Sequence, residues 1–239
     1  PMQYDKGGFG WGNSNDIYYI YAATQDQVDG SNNRWLIAVI DGKQVRIPFP
    51  KGVVEITDLS YGPHRRHNMM DIYYPEGADR CPIIVSVHGG GYVYGDKELY
   101  KRYCMDLARR GFCVVNINYR LAPRWKFPTP LEDINQALLW LQENSRYYHA
   151  DITRLFMVGD SAGGQLASQY AAMLTNPEYM ALFGLPRPDP GIQLRAVGLN
   201  CGLYDMADVA STKRQGLELD YLGPLSLEEL AQAVADRWK

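Results

Sequence analysis

The sequence lacks several features that would point to particular classes of protein. It contains no run of 18 apolar residues, so it predicts no transmembrane helix. The net charge of −3 gives no basic surface to attract nucleic acid or an anionic membrane. No basic and then apolar leader opens the chain, so we expect a cytoplasmic protein, and a signal peptide removed upstream stays open as the alternative. What remains is a globular protein long enough to bury a sizeable core.

Cysteine and histidine are both scarce, with four of each. The cysteines have no metal-type spacing, which predicts no metal site and no cofactor. Buried free thiols are the favoured interpretation, and a disulfide stays open, for Cys81, Cys104, Cys113 and Cys201. Two of the histidines, His64 and His67, lie between predicted strands, where a solvated turn is favoured over a ligand cluster.

The chain does contain a Gly-x-Ser-x-Gly pattern, Gly159-Asp160-Ser161-Ala162-Gly163. An apolar run rich in strand formers, 154–158, ends at the first glycine, and apolar residues at helical spacing follow the second. A serine between strand and helix, flanked by small residues, is typical of a nucleophile elbow. Its hydroxyl lies at a helix N-terminus, which favours developing negative charge. Alone, the pattern would equally suit a turn serine without chemistry.

A second pattern, His88-Gly89-Gly90-Gly91, follows a buried strand predicted at 82–88. Three successive glycines let a backbone turn its N–H groups toward a ligand. Acyl transfer needs such donors at the oxyanion of its tetrahedral intermediate. A loop of this HGGG type supplies them in lipases and esterases. A flexible surface loop is the alternative interpretation, and the presence of both patterns in this order weighs against it.

Together these motifs resemble the hormone-sensitive-lipase-like esterase and lipase group of the α/β-hydrolases. The resemblance covers about residues 53–205, and its matching segments are 71–75, 88–96, 118–123, 127–133 and 159–164. It implies that Ser161 forms an acyl-enzyme with small acyl esters. It also implies an oxyanion hole made by the loop Gly89, Gly90 and Gly91 with Ala162, in which Gly89 shapes the loop and the other three donate N–H groups.

The resemblance implies a structural role for His88, which would hold the glycine loop. Asp160 is expected to be a turn residue or to support the site indirectly. In this fold the triad follows the order Ser, then Asp or Glu, then His, yet no histidine follows Ser161. Asp205, just after a predicted strand at 193–200, is a candidate acid, although an ordinary loop aspartate is the favoured interpretation.

We therefore expect a chain that stops before its acid and histidine strands and is close to inactive as given. Such a chain would also expose a sheet edge, which favours self-association into a homo-oligomer. Two alternatives stay open. One is a non-catalytic α/β-hydrolase-fold binding module. The other is a base supplied from elsewhere, either a partner chain or an upstream histidine such as His149.

The predicted fold class is α/β, with a mostly parallel sheet and helices on both faces. Residues 1–50 form an expected N-terminal extension, serving as a cap or as added strands, with a hairpin at 35–47 around Asp41-Gly42. Residues 51–239 form the expected α/β-hydrolase domain. Its strands are predicted near 53–60, 69–74, 82–88, 112–118, 154–159 and 193–200. Its helices are predicted at 98–110, from Thr129 with a capping box completed by Glu132, and at 226–239.

Overall fold

The structure is a computed structural model that describes residues 17–22, 35–40 and 43–205. The predicted helix at 226–239 and the predicted Asp41-Gly42 turn lie outside the described residues.

The first three strands form a small antiparallel sheet of their own. They are β1 (Ile17–Ala22), β2 (Trp35–Ile40) and β3 (Lys43–Pro48), in the order β1-β2-β3. Ile40 pairs with Lys43, so two residues connect β2 to β3, and the predicted hairpin is confirmed. Strand β1 was not predicted. The domain boundary near residue 50 and the cap role of this extension stay predictions.

A six-stranded sheet forms the centre of the molecule, in the order β4-β5-β7-β6-β8-β9. Strands β4, β5 and β7 pair antiparallel, whereas β7, β6, β8 and β9 pair parallel. This arrangement confirms the predicted class and the mostly parallel sheet. Its strands are β4 (Val53–Ser60), β5 (Met69–Pro75), β6 (Cys81–Val87), β7 (Cys113–Ile117), β8 (Ala150–Asp160) and β9 (Leu194–Asn200).

Helices cover both faces of this sheet, as predicted. Helix α1 (Lys101–Ala108) buries Cys104, Met105 and Ala108 against one face. Helices α2 (Thr129–Asn144) and α3 (Ala162–Thr175) bury their apolar side chains in the larger cluster on the other face. A short helix α4 (Pro177–Ala181) follows α3, and 3₁₀ turns at Lys97–Tyr100 and Ser145–Tyr148 precede α1 and β8.

The capping box predicted for α2 is wrong. The helix does begin with Thr129, but Pro128 holds the N-cap position and no side chain caps the helix. Glu132 is engaged elsewhere, because its carboxylate accepts from Arg120 at 3.0 Å. Arg120 also binds Asp133, at 2.7 Å, so an ion-pair cluster fixes the start of α2 in place of a cap.

The four cysteines are free thiols, of which Cys81, Cys104 and Cys113 are buried and Cys201 is exposed. Burial raises the pKa of Cys104 and of Cys113 to about 12, so both are protonated near neutral pH. No disulfide joins any pair of them.

The His64–His67 segment is the predicted turn, because the N–H of His67 donates to the carbonyl of His64 at 2.9 Å. It is not simply solvated. The ring of His67 lies 4.6 Å from that of Trp125, edge to face, and the His64 ring lies 5.8 Å from it. The two imidazoles therefore pack on an indole.

Strand β9 forms one edge of the central sheet. It pairs with β8 on one side, and within the described ranges no strand pairs with its other side. Four consecutive residues of β9, 195–198, are exposed. In the same part of the chain, no helix is both long and apolar enough to cross a bilayer.

Candidate active site

Ser161 lies at the sharp turn between the end of β8 and the start of α3. Its backbone has φ 49° and ψ −122°, a conformation that non-glycine residues seldom adopt. Its N–H donates to the carbonyl of Asn200 at 2.8 Å, and its own carbonyl accepts from the N–H of Gln165 at 3.1 Å. The predicted strand–turn–helix setting of the serine is therefore present, and neighbouring backbone holds the strained residue in place.

Glycine is required on both sides of this turn because the backbone packs too closely for a side chain. A Cβ on Gly159 would lie 2.3 Å from the carbonyl oxygen of Gly163. One on Gly163 would lie 2.2 Å from the carbonyl oxygen of Val87, at the end of β6. The small residues thus let β8, α3 and β6 meet at the serine.

The glycine loop after β6 lies directly against this turn. A Cβ on Gly89 would lie 2.9 Å from the backbone oxygen of Asp160, the residue before the serine. Gly90 and Gly91 have φ values of 124° and 53°, in the region that favours glycine. The carbonyl of Gly90 turns back into the loop, where it accepts from the N–H groups of Val93 and Tyr94 at 3.1 Å each.

The N–H groups of the loop and the turn are not equivalent. That of Gly89 donates to the hydroxyl of Tyr100 at 3.1 Å, which agrees with a role for Gly89 in shaping the loop. No described residue accepts from the N–H groups of Gly90, Gly91 or Ala162. Among the described residues, these three N–H groups thus differ from that of Gly89 in having no acceptor.

His88 holds the loop from within the core. Its side chain is wholly buried and stacks on Tyr119, with ring centroids 4.2 Å apart. Nδ1 lies 2.7 Å from the carbonyl oxygen of Gly89 and must donate to it, because a carbonyl only accepts. Burial lowers the pKa of His88 to about 4, so the ring is neutral near pH 7. This placement fits the structural role implied by the resemblance.

The other three histidines are described as well, and they pack against residues other than Ser161. His149 directly precedes β8, in which Ala150 pairs with Cys81 and Gly159 with Val87, so about 20 Å of sheet separates it from Ser161. The rings of His64 and His67 pack on Trp125. Within the described part of the chain, no histidine forms a hydrogen bond with Ser161.

Asp205 lies in the exposed segment that follows β9, at the end of the last described range. Its assignment as a triad acid stays a prediction. Among the described residues there is no group of three or more His, Cys, Asp or Glu side chains that could hold a metal ion.

The sequence did not predict that two tyrosines, Tyr100 and Tyr119, contact the glycine loop. Tyr100 accepts from Gly89, and the hydroxyl of Tyr119 donates to the carbonyl of His88 at 2.9 Å. Tyr119 lies within a segment that carries the family resemblance, so a signal for it existed. Tyr100 lies within a stretch that reads only as helix, and nothing there marks a contact with the loop.

The fold and the serine turn together define an α/β-hydrolase. A model of the BD-FAE family matches residues 70–232, and the chain belongs to that family. The expected place in an esterase and lipase group of the α/β-hydrolases is thereby confirmed at the level of the family.

The similar proteins include several that are named as ester hydrolases. The ethyl acetate hydrolase of Pseudomonas putida is 37% identical over 131 residues, a match that covers 53% of this chain and 41% of that protein. The carboxylic ester hydrolase LipN of Mycobacterium tuberculosis is 35% identical over 168 residues, which are 64% of this chain and 43% of LipN. The chain thus spans about two fifths of the length of these relatives.

Solved structures show the same fold. The crystal structure of esterase B from Lactobacillus rhamnosis matches with a TM-score of 0.67 and 29% sequence identity. The match covers 79% of this chain and 60% of esterase B. A bacterial heroin esterase matches with a TM-score of 0.54 and 25% identity over 75% of this chain and 58% of its own.

Proposed function

We propose that this chain carries the nucleophile and the oxyanion hole of a serine carboxylesterase that acts on small acyl esters. The observation that carries the proposal is the strained Ser161 turn, packed against a loop whose Gly90 and Gly91 N–H groups have no described acceptor. The names of the relatives support the reaction class, and that of the ethyl acetate hydrolase supports a small acyl group.

The reaction follows from these groups. The Ser161 oxygen attacks the ester carbonyl, and the N–H groups of Gly90, Gly91 and Ala162 donate to the oxyanion that forms. Each such donor contributes about 3 kcal/mol to the transition state in known enzymes. The carbon–oxygen bond to the alcohol then breaks, and the acyl group remains on the serine until water removes it.

The step that this chain does not supply is removal of the serine proton. No histidine follows Ser161 in the sequence, and the described histidines are packed elsewhere. A serine hydroxyl without a base is a poor nucleophile near neutral pH. We therefore propose that the 239 residues as given turn over esters slowly, several orders of magnitude below a complete triad enzyme.

A base added in solution tests both parts of the proposal. The chain is incubated with p-nitrophenyl butyrate, with and without imidazole, and the modified peptide is identified by mass spectrometry. We expect imidazole to take the serine proton and p-nitrophenolate to leave, which adds one butyryl group per chain at Ser161. The acyl-enzyme should then accumulate, because no histidine is held beside it to activate water.

The matched control is Ser161→Ala, which keeps the same imidazole background and should acquire no butyryl group in this peptide. Fast turnover without imidazole, abolished by Ser161→Ala, would show that a base reaches the serine and would contradict the proposed inactivity. No acylation of Ser161 at any imidazole concentration would favour the binding-module alternative.

A further inference from the structure

Asp160 is a carboxylate directly beside the nucleophile, and the proposed reaction does not use it. It is the last residue of β8 and is half-buried. Its Oδ2 lies 2.9 Å from the position that a Cβ on Gly89 would take, so the carboxylate is packed against the glycine loop. A charged group in such a place needs a partner that stabilises it.

Tyr100 is placed to be that partner, because its hydroxyl and the carboxylate of Asp160 both lie against Gly89. The Tyr100 hydroxyl accepts from the N–H of Gly89 at 3.1 Å, so its own hydrogen is free to donate elsewhere. We assign that hydrogen to the neighbouring carboxylate of Asp160, which is packed on the same glycine and whose Oδ1 is buried and accepts from no described group. Burial, together with this bond, raises the pKa of Tyr100, so the phenol keeps its hydrogen. The chain of bonds therefore runs from Gly89 through Tyr100 to Asp160.

A negative acceptor at the end of such a chain strengthens the bonds before it. Donation to a carboxylate is charge-assisted, and it polarises the phenol oxygen that accepts from Gly89. The hydrogen bond from the Gly89 N–H to Tyr100 is thus stronger than it would be if the Tyr100 hydroxyl did not donate to a carboxylate.

The position of this bond matters because peptide groups are planar, with N–H and C=O pointing in opposite directions. The His88–Gly89 peptide is held at both ends, by Tyr119 on its carbonyl and by Tyr100 on its N–H. The next peptide is held by His88 Nδ1 on the carbonyl of Gly89, so the N–H of Gly90 points away from the His88 ring. The carbonyl of Gly90 is held in the loop, which in the same way directs the N–H of Gly91.

The support of Tyr100 is itself rigid. Lys97, at the start of the same 3₁₀ turn, is buried, and its Nζ lies 2.9 Å from carboxylate oxygens of Asp58, Asp71 and Glu98. The backbone of Lys97 is also held, because its N–H donates to Asn118 and its carbonyl accepts from Asn116, each at 2.6 Å. Removal of the Tyr100 hydroxyl should therefore leave the turn in place.

We propose that Asp160 and Tyr100 are a pair of positioning residues for the oxyanion loop. Asp160 orients the Tyr100 hydroxyl, and Tyr100 fixes the first peptide of the loop, from which the directions of the Gly90 and Gly91 N–H groups follow. The proposal rests on the oxyanion role assigned to these N–H groups in the proposed function.

The test compares Tyr100→Phe, Asp160→Asn and the double variant in two measurements. The first is the rate of Ser161 acylation by p-nitrophenyl butyrate with imidazole, as a function of ester concentration. We expect Tyr100→Phe to lower the maximal rate about 10- to 100-fold, with the half-saturating ester concentration unchanged. That pattern follows because oxyanion donors act in the transition state rather than on the bound ester.

The second measurement is hydrogen exchange of the Gly89 amide, followed by NMR, which does not depend on acylation. Tyr100→Phe should accelerate this exchange at least about tenfold, because the amide loses its acceptor. Asp160→Asn should change both measurements in the same direction by a smaller factor. Because the two residues act through one chain of bonds, the double variant should be no worse than Tyr100→Phe alone.

The control is Tyr147→Phe, which removes an exposed hydroxyl from the 3₁₀ turn before β8 and should change neither measurement. Wild-type acylation and wild-type Gly89 exchange in Tyr100→Phe would overturn the proposal, as would multiplicative effects in the double variant. If wild-type Ser161 is not acylated at all, the proposed function fails, and the Gly89 exchange rates decide on the pair by themselves.

Discussion

Backbone strain is concentrated at a few residues around the serine. Five described non-glycine residues have positive φ values, and three of them lie in or beside the site: Tyr92 in the loop, Ser161 in the turn, and Cys201 after the strand that binds the turn. Each such conformation costs on the order of 1–3 kcal/mol and persists only where the surroundings impose it. At Ser161 the bond to Asn200 and the start of α3 supply that restraint.

The buried imidazole of His88 should make the protein sensitive to acid. Its pKa is lowered by burial from 6.5 to about 4, so between these pH values the unfolded chain binds a proton that the folded chain does not. This contribution to stability is complete above pH 6.5 and decreases as the pH falls toward 4. From the size of the shift we expect a loss of about 3 kcal/mol, measured by urea unfolding at several pH values.

His88→Asn should remove this component, because asparagine can still donate to the Gly89 carbonyl but does not titrate. The control is His149→Asn, which removes an exposed imidazole and should leave the acid dependence close to that of the wild type. An acid dependence that is the same in wild type and His88→Asn would contradict the assignment.

At the residue scale the sequence pointed to Ser161 and the glycine loop, but not to the two tyrosines that hold this loop. Glycines at a fixed spacing are a sequence signal for segments whose backbones pack closely. Gly159 and Gly163 lie at such a place. Tyr100 carries no comparable signal. Its contact with Gly89 depends on the position of a turn eleven residues away in the chain, which only the folded structure defines.

The approach of α3 to β6 is the element contact that shapes the site. We expect Gly163→Ala to destabilise the protein by several kcal/mol, because its Cβ would lie 2.2 Å from one backbone carbonyl and 2.5 Å from the next. Neither backbone atom can rotate away as a side chain would. Thermal and urea unfolding measure the loss.

Gly184→Ala is the matched control for this prediction. Gly184 follows α4, has φ 65°, and has open space around the position of a Cβ. The substitution should cost only the strain of a left-handed conformation, about 1–2 kcal/mol. Equal losses in the two variants would show that close packing at Gly163 is not the cause.

Strand β8 shows why element bounds were harder to predict than element type. The apolar run predicted a strand at 154–159, whereas the strand begins at Ala150. The added residues include Asp151, which is buried in ion pairs with Arg80 and Arg154. Burial opposes its ionisation, but hydrogen bonds from Thr153 and Arg154 lower the pKa of Asp151 to about 2. Hydrophobic periodicity cannot detect a strand that is extended by charged contacts.

At the scale of the whole molecule, the outer edge of β9, on which no described strand pairs, predicts self-association. Unpaired N–H and C=O groups on an edge strand can pair with another chain, and β9 has exposed residues on it. We expect the sedimentation coefficient of the chain to rise with concentration between about 10 and 200 μM. Ala196→Lys, which places a charge on this exposed strand, should weaken that rise.

Ala181→Lys adds the same charge on α4, away from the edge, and should leave the association unchanged. A chain that sediments as a monomer at all concentrations would contradict the prediction. So would an equal effect of the two lysine variants.

The alternation of strands and helices after residue 52 was enough to predict the class of the whole fold. It did not reveal that β5 runs antiparallel to both of its neighbours, β4 and β7, since periodicity reports which face of a strand is buried and not its direction. The partners of the Ser161 turn were equally hidden, because Asn200 and Val87 reach it through backbone atoms.

Those backbone contacts have a consequence for how such a site diversifies. The serine turn is held by the carbonyl of Asn200 and the close approach of Val87, and neither interaction depends on which side chain stands there. Substitutions of Asn200 and Val87 can therefore alter the shape and polarity of the neighbouring surface without displacing Ser161. Under the proposed function, such a scaffold separates the reaction from the choice of ester, so a library of variants at these positions can explore new esters while the turn stays intact.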